Sequence, residues 1–154
     1  VNFPEHLIKE IYRVLRKGGY FYCFIPCEGD KLSAWYWLRD SLKWSKLTEK
    51  YAGHINRWSR RTWLNIFQKN GFNIEKINYS EHFLGQLLGL TAFYLMDRGN
   101  KNGEQINNEK FFSELSQRNN WFRYLKKLVN ILVYWESVLG RKIPSPNIHI
   151  LLKK

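Results

Sequence analysis

Acidic side chains are scarce in this sequence. Asp and Glu number 13 against 25 Lys and Arg, leaving a net charge of +12. Residues 1–30 carry four basic and four acidic side chains, so the whole excess, 21 against 9, falls after them. Such an excess attracts polyanions, whether nucleic acid, anionic lipid headgroups or phosphorylated substrates, without choosing among them. Cysteine is almost lacking too. Cys23 and Cys27 stand four apart, and on a continuous strand they point to one side, too far apart along the backbone for easy disulfide geometry. No CxxC pair or Cys/His ligand set is present, which argues against a structural zinc site and for reduced, intracellular thiols. No charged segment leading into an apolar run is visible, and no apolar run reaches the ~20 residues that span a bilayer. The expectation is a soluble, cytoplasmic protein with no metal site and at most a peripheral membrane contact.

What the chain has is aromatic and apolar mass. Hydrophobic residues make up 44% of its 154 residues and aromatics 17%, enough for one domain with a real core. Residues 8–26, IKEIYRVLRKGGYFYCFIP, organise the rest. Leu7, Ile8, Ile11, Val14 and Leu15 recur at helical spacing. Arg16 and Lys17 complement the carbonyl end, and Gly18 is the natural left-handed stop. Residues 20–25 are apolar without alternation, which predicts an interior strand covered on both faces, closed by Pro26. The loop Cys27-Glu28-Gly29-Asp30 then lies at the strand's C-terminal end, where open α/β sheets bind ligands.

Further on, residues 31–50 read as a helix and residues 51–58 as a loop holding His54. Ser59 is placed to cap a helix over residues 60–70, with Trp63, Leu64, Ile66 and Phe67 as its buried stripe. Asn70-Gly71 ends it, and FNIEKINY over residues 72–79 alternates like a strand. Residues 81–96 form an unusually apolar helix containing Gly85 and Gly89. Residues 97–108 are polar, glycine-punctuated and flexible. Residues 109–139 make one or two helices broken near Asn119-Asn120, with an apolar face through Leu125, Leu128, Ile131, Leu132 and Trp135. After the stiff link Ile143-Pro144-Ser145-Pro146, residues 147–152 form a final strand.

This order, headed by EIYRVLRKGGYFYCFIP, resembles the C-terminal half of a class I S-adenosylmethionine-dependent methyltransferase. Glu10, Arg13, Val14, Leu15, Lys17, Gly18 and Gly19 match the family's segment before its fifth strand. His54, the helix after Ser59 and Gly71-Phe72 match the approach to its sixth. The resemblance implies an α/β, Rossmann-like fold with a mixed sheet of about three strands, the last lying antiparallel between the other two. It divides the chain into core helices and two strands over 1–82, a helical insert over 83–142 and the final strand over 143–154, together one incomplete domain. The family's glycine-rich cofactor loop and the acidic residue closing its second strand are not in this sequence. The expectation is the C-terminal portion of a longer enzyme, with S-adenosylmethionine bound mainly by a missing N-terminal half.

On that reading the acceptor is a small molecule or a lipid- or sugar-type compound, and the chain supplies the acceptor-side pocket and the sheet edge. Glu28 and Asp30 are candidates to orient the acceptor or act as a base, against the alternative of solvated loop acids. The resemblance places His54 in a region that often lines the acceptor site, as a general base or an orienting hydrogen bond; a surface or capping histidine is the competing role. His54 and Glu28 are the catalytic candidates, with Cys27, Asp30, Arg57 and Trp58 as substrate-binding candidates. Strand 20–25 should present an open sheet edge, seat of the missing half or of self-association. A rival reading takes the basic, aromatic WYWLRDSLKWSK as part of a non-catalytic module binding nucleic acid or anionic membrane. No nucleic-acid signature accompanies that stretch.

Overall fold

A computed structural model describes residues 4–38, 46–99, 113–114, 117 and 120–154. Helix α1 (Pro4–Val14) leads into strand β1 (Tyr20–Pro26), and two short helices, α2 (Ala34–Leu38) and α3 (Leu47–Ala52), follow. Then come α4 (Arg60–Lys69), β2 (Asn73–Ser80), α5 (Phe83–Gly99), α6 (Asn120–Gly140) and β3 (Asn147–Lys153). The expected helix over 31–50 is thus two separate pieces, and residues 39–45 between them lie outside the described residues. The flexible stretch expected over 97–108 is helical as far as Gly99, and its remainder lies outside them too.

The local signals behave as their chemistry requires. Ser59 has an extended backbone and its hydroxyl accepts the Thr62 N–H at 3.3 Å, capping α4. Gly18, at φ +75°, turns the chain after α1. The carbonyls at the end of α1 also receive a cation from the far end of the chain. Lys154 Nζ donates to the Tyr12 carbonyl at 2.5 Å and lies 4.6 Å from that residue's ring centroid.

The three strands form one sheet in the order β1-β3-β2, with β3 antiparallel to both neighbours. The last strand therefore takes the central place expected for it. Ile148, Ile150 and Leu152 alternate onto one face of β3 and are fully buried. Opposite them on β2 stand Ile74 and Ile77, three apart where alternation asks for two. A β-bulge between Ile74 and Lys76 absorbs the extra residue, so Ile74 pairs with Leu152 and Ile77 with Ile150 on the same face. Against that face pack Ile8 of α1 and Trp63, Ile66 and Phe67 of α4. Each fully buried side chain there contributes about 1.5–3 kcal/mol. A smaller cluster joins Leu47 of α3 to Phe93 and Met96 of α5.

Among the described strands β1 is outermost and presents the open edge expected for it, but, against expectation, it is not covered on both faces. The expected mixed sheet is corrected as well: each pairing is antiparallel, because β3 separates β1 from β2. Phe21, Cys23 and Ile25 turn to the core, whereas Tyr20, Tyr22 and Phe24 on the opposite face are 55, 60 and 51% exposed. Continuous apolar sequence reports that both faces avoid charge, but it does not report that anything covers them. On the open face His149 of β3 sits between strands, its Nδ1 2.6 Å from the Tyr22 hydroxyl and its Nε2 2.8 Å from Ser80 Oγ. Burial lowers the pKa of that imidazole.

Candidate active site

Strands β1 and β2 run parallel, so their C-terminal ends meet at one edge of the sheet, where side chains from distant segments converge. The loop after β1 brings Glu28. Its side chain is almost wholly buried and both oxygens have partners: Oε1 lies 2.5 Å from His54 Nδ1, and Oε2 accepts from Thr48 Oγ1 at 3.0 Å. A carboxylate only accepts, so a neutral His54 ring carries its proton on Nδ1 and keeps its lone pair on Nε2. Thr48 is on α3, and the same residue's carbonyl takes the His54 backbone N–H at 3.2 Å, so α3 positions both members of the pair.

Gly29 makes this loop feasible. The backbone of Arg57, Trp58 and Ser59 lies directly against its α-carbon, and its N–H donates to the Trp58 carbonyl at 3.2 Å. A side chain at residue 29 would push the 54–59 segment away and part His54 from Glu28.

The pair opens on a cavity of about 210 Å³. Its polar lining is Glu28, Ser33, Thr48, His54, Glu81, Gln86 and Asn147, and its apolar walls include Trp35 and Phe93. Glu81 follows β2 directly and holds a left-handed backbone, φ 60°. Its carboxylate accepts from the Asn147 amide. Burial pushes the Glu81 pKa up to about 6, with the His54 charge pulling the other way and Glu28 adding to the rise. Charge on His54 thus favours charge on Glu81. A second, apolar hollow of about 280 Å³ lies between α1, β1 and residues 53–56, and His54 lines it as well.

The six residues singled out in the sequence separate into two groups. Glu28 and His54 meet, although 26 positions apart. Cys27 is fully buried in the core and does not line the cavity; burial, reinforced by Asp30, pushes its thiol up to about 12 against a lowering by Arg60. Asp30 accepts the Leu32 N–H at 3.3 Å and lies 3.8 Å from Arg60, ordering the turn. Arg57 reaches Glu49 at 3.7 Å, and Trp58 packs on Trp63 with centroids 4.8 Å apart. Neither belongs to the cavity wall. Thr48 and Glu81 were missed. For Glu81 a signal existed: it closes β2 as Cys27-Glu28-Gly29-Asp30 closes β1, and the same strand-end rule applies. Thr48 carried none, because its role depends on where α3 packs.

A cradle for a nucleoside cofactor needs a glycine whose bare backbone faces the ligand after a strand. Among the described residues Gly29 stands in such a position, and its open side is filled by the 57–59 backbone. Gly18, Gly53 and Gly71, all at positive φ, sit in turns that follow helices. The described residues therefore do not form that cradle. Nor do they group three or more His, Cys, Asp or Glu side chains so as to hold a metal ion.

No curated protein and no solved structure matches the chain. A family model described as a methyltransferase domain matches residues 1–77, half of the sequence, from α1 through the body of β2, and so includes Glu28, Thr48 and His54. The chain belongs to the methyltransferase-domain family and carries a class I methyltransferase-like domain.

Proposed function

We propose that this chain is the acceptor side of an S-adenosylmethionine-dependent methyltransferase of Rossmann-like fold, with His54 as general base and Glu28 as the residue that orients it. The observation that carries the reading is the 2.5 Å contact between Glu28 Oε1 and His54 Nδ1 at the shared end of two parallel strands. The family match supports methyl transfer in general. An alkyl acceptor oxygen or nitrogen becomes a competent nucleophile when its proton is taken as it attacks. A neutral imidazole with Nδ1 engaged offers Nε2 for that proton, while Glu28 stabilises the imidazolium that forms. Glu81, with its pKa near 6, is suited to hydrogen-bond a hydroxyl of the acceptor. The cavity is polar at one end and aromatic at the other, which fits a small hydroxylated or lipid- or sugar-type molecule.

The cofactor supplies the methyl group. Because the described residues do not form its cradle, the reading assigns that cradle to a glycine-loop half outside this sequence, seated along the open edge of β1. The test is a methyl-transfer assay on the chain joined to the sequence preceding it in its gene. Activity with S-adenosylmethionine is expected, and His54→Asn should lower kcat by ~10²–10⁴-fold, with Glu28→Gln following in the same direction. Absence of both cofactor binding and methyl transfer in the joined protein would sink the reading. Undiminished turnover in His54→Asn would remove the base and leave the family.

A further inference from the structure

Helix α6 partly covers one side against α5 and leaves another open. Phe122 and Val129 face α5 across a shared apolar hollow. On another side Trp121, Tyr124, Leu128, Ile131, Leu132 and Trp135 are all exposed. At 100° per residue they fall on one continuous face along the length of the helix, which Leu139, 78% exposed, extends. A contiguous apolar face of this extent marks an interaction surface.

Charge says what the surface fits. Residues 120–142 contain five basic side chains and one acidic one, Glu136. That acid already accepts the Leu84 and Gly85 N–H groups of α5. Arg123, Lys126 and Lys127 line an open hollow of about 550 Å³ together with Tyr134 and Trp135, beside the apolar face. Aliphatic side chains in the middle, Trp and Tyr among them and Lys127, with Arg123 beyond it, along one margin form the pattern of a helix lying in the headgroup layer of a bilayer. Lys126 turns instead to the hollow shared with α5. A second copy of the chain would bring two basic margins together, which opposes pairing through this face. Nucleic acid has no counterpart for Leu128, Ile131 and Leu132. No helix among the described residues is long and apolar enough to cross a membrane, so the helix would lie on the bilayer and not through it.

We propose that α6 is an interfacial anchor for an anionic phospholipid surface, with its apolar face at the acyl boundary and Lys127 and Arg123 reaching lipid phosphates from one margin. Binding is independent of methyl transfer. The test is flotation of the full chain with vesicles of phosphatidylcholine alone or with about 30% phosphatidylglycerol, at low and high salt. Binding to the anionic vesicles with a blue shift of tryptophan emission is expected. The exposed double variant Leu128→Glu/Leu132→Glu should weaken it by ~10-fold or more, with far-UV circular dichroism unchanged. Arg123→Gln/Lys127→Gln should weaken binding and flatten its salt dependence. No binding to anionic vesicles at low salt, or equal binding by the Glu variant, overturns the proposal. So does a loss of self-association in the Glu variant, which would make a second copy the occupant.

Discussion

The carboxylate of Glu136, on α6, accepts the backbone N–H of Leu84 at 2.7 Å and that of Gly85 at 3.1 Å, at the opening turn of α5. The first turn of a helix has amides with no partner of their own, and the helix dipole makes an anion welcome there. A residue 52 positions away from Leu84 thus does what an N-cap does locally, and it ties the two long helices together. Glu136→Ala should destabilise the chain by about 1–2 kcal/mol, and Glu136→Gln by less because it keeps an acceptor. Urea unfolding of both variants measures this; an unchanged midpoint in Glu136→Ala would show that water replaces the carboxylate.

The Glu81 carboxyl, raised to about 6 from an ordinary value of 4.5, makes stability depend on pH. Below about pH 4.5 the group is protonated folded or unfolded and costs nothing. As pH rises from there through 6, the unfolded chain releases this proton first, so the folded state loses stability, by about 2 kcal/mol at most. Glu81→Gln keeps an acceptor for Asn147 and removes the ionisation. It should flatten the fall in Tm between pH 4.5 and 6.5 and raise Tm at pH 7. A parallel pH profile in the variant would count against burial as the cause of the shift.

Both thiols are pushed up to about 12, Cys23 by burial and Cys27 by burial with Asp30 adding. The thiolate is the reactive form, and little of it exists at pH 8. Cys27, with no exposed surface, should resist iodoacetamide in the native chain and react at an ordinary rate in urea. Mass spectrometry of the labelled protein distinguishes the two; rapid native labelling of Cys27 would contradict the packing described.

The two faces of the sheet should respond differently to truncation. Leu152, fully buried in the core cluster on the inner face of the sheet, should cost about 2–5 kcal/mol as Leu152→Ala. Tyr22, on the exposed face, should cost no more than about 1 kcal/mol as Tyr22→Phe, the worth of its hydrogen bond to His149. Equal losses at the two positions would mean that the outer face is covered in solution.

Two members of the candidate site, Glu28 and His54, were legible in the sequence. Glu28 sits at the C-terminal end of a strand, and that rule depends only on chain direction. His54 was legible through the family's order of elements. Cys27, Asp30, Arg57 and Trp58 were chosen by nearness in sequence to those two, but nearness along a loop does not set side-chain direction. Cys27 turns into the core, and Trp58 joins Trp63.

The amino-acid sequence alone determined most of the helices and strands and the caps at Ser59 and Gly18, because periodicity and capping act over a few residues at a time. The central place of β3 came from the resemblance to the methyltransferase family, and the division of residues 31–50 into two helices was not legible. Tertiary structure alone decided which apolar faces are covered. Tyr20, Tyr22 and Phe24 look like core in sequence and stand exposed, as does the face of α6, because burial depends on what packs from elsewhere. It also decided that Thr48 and Glu81 join Glu28 and His54, since hydrogen bonds between residues 20 or more positions apart exist only once α3 and the ends of β1 and β2 are brought together.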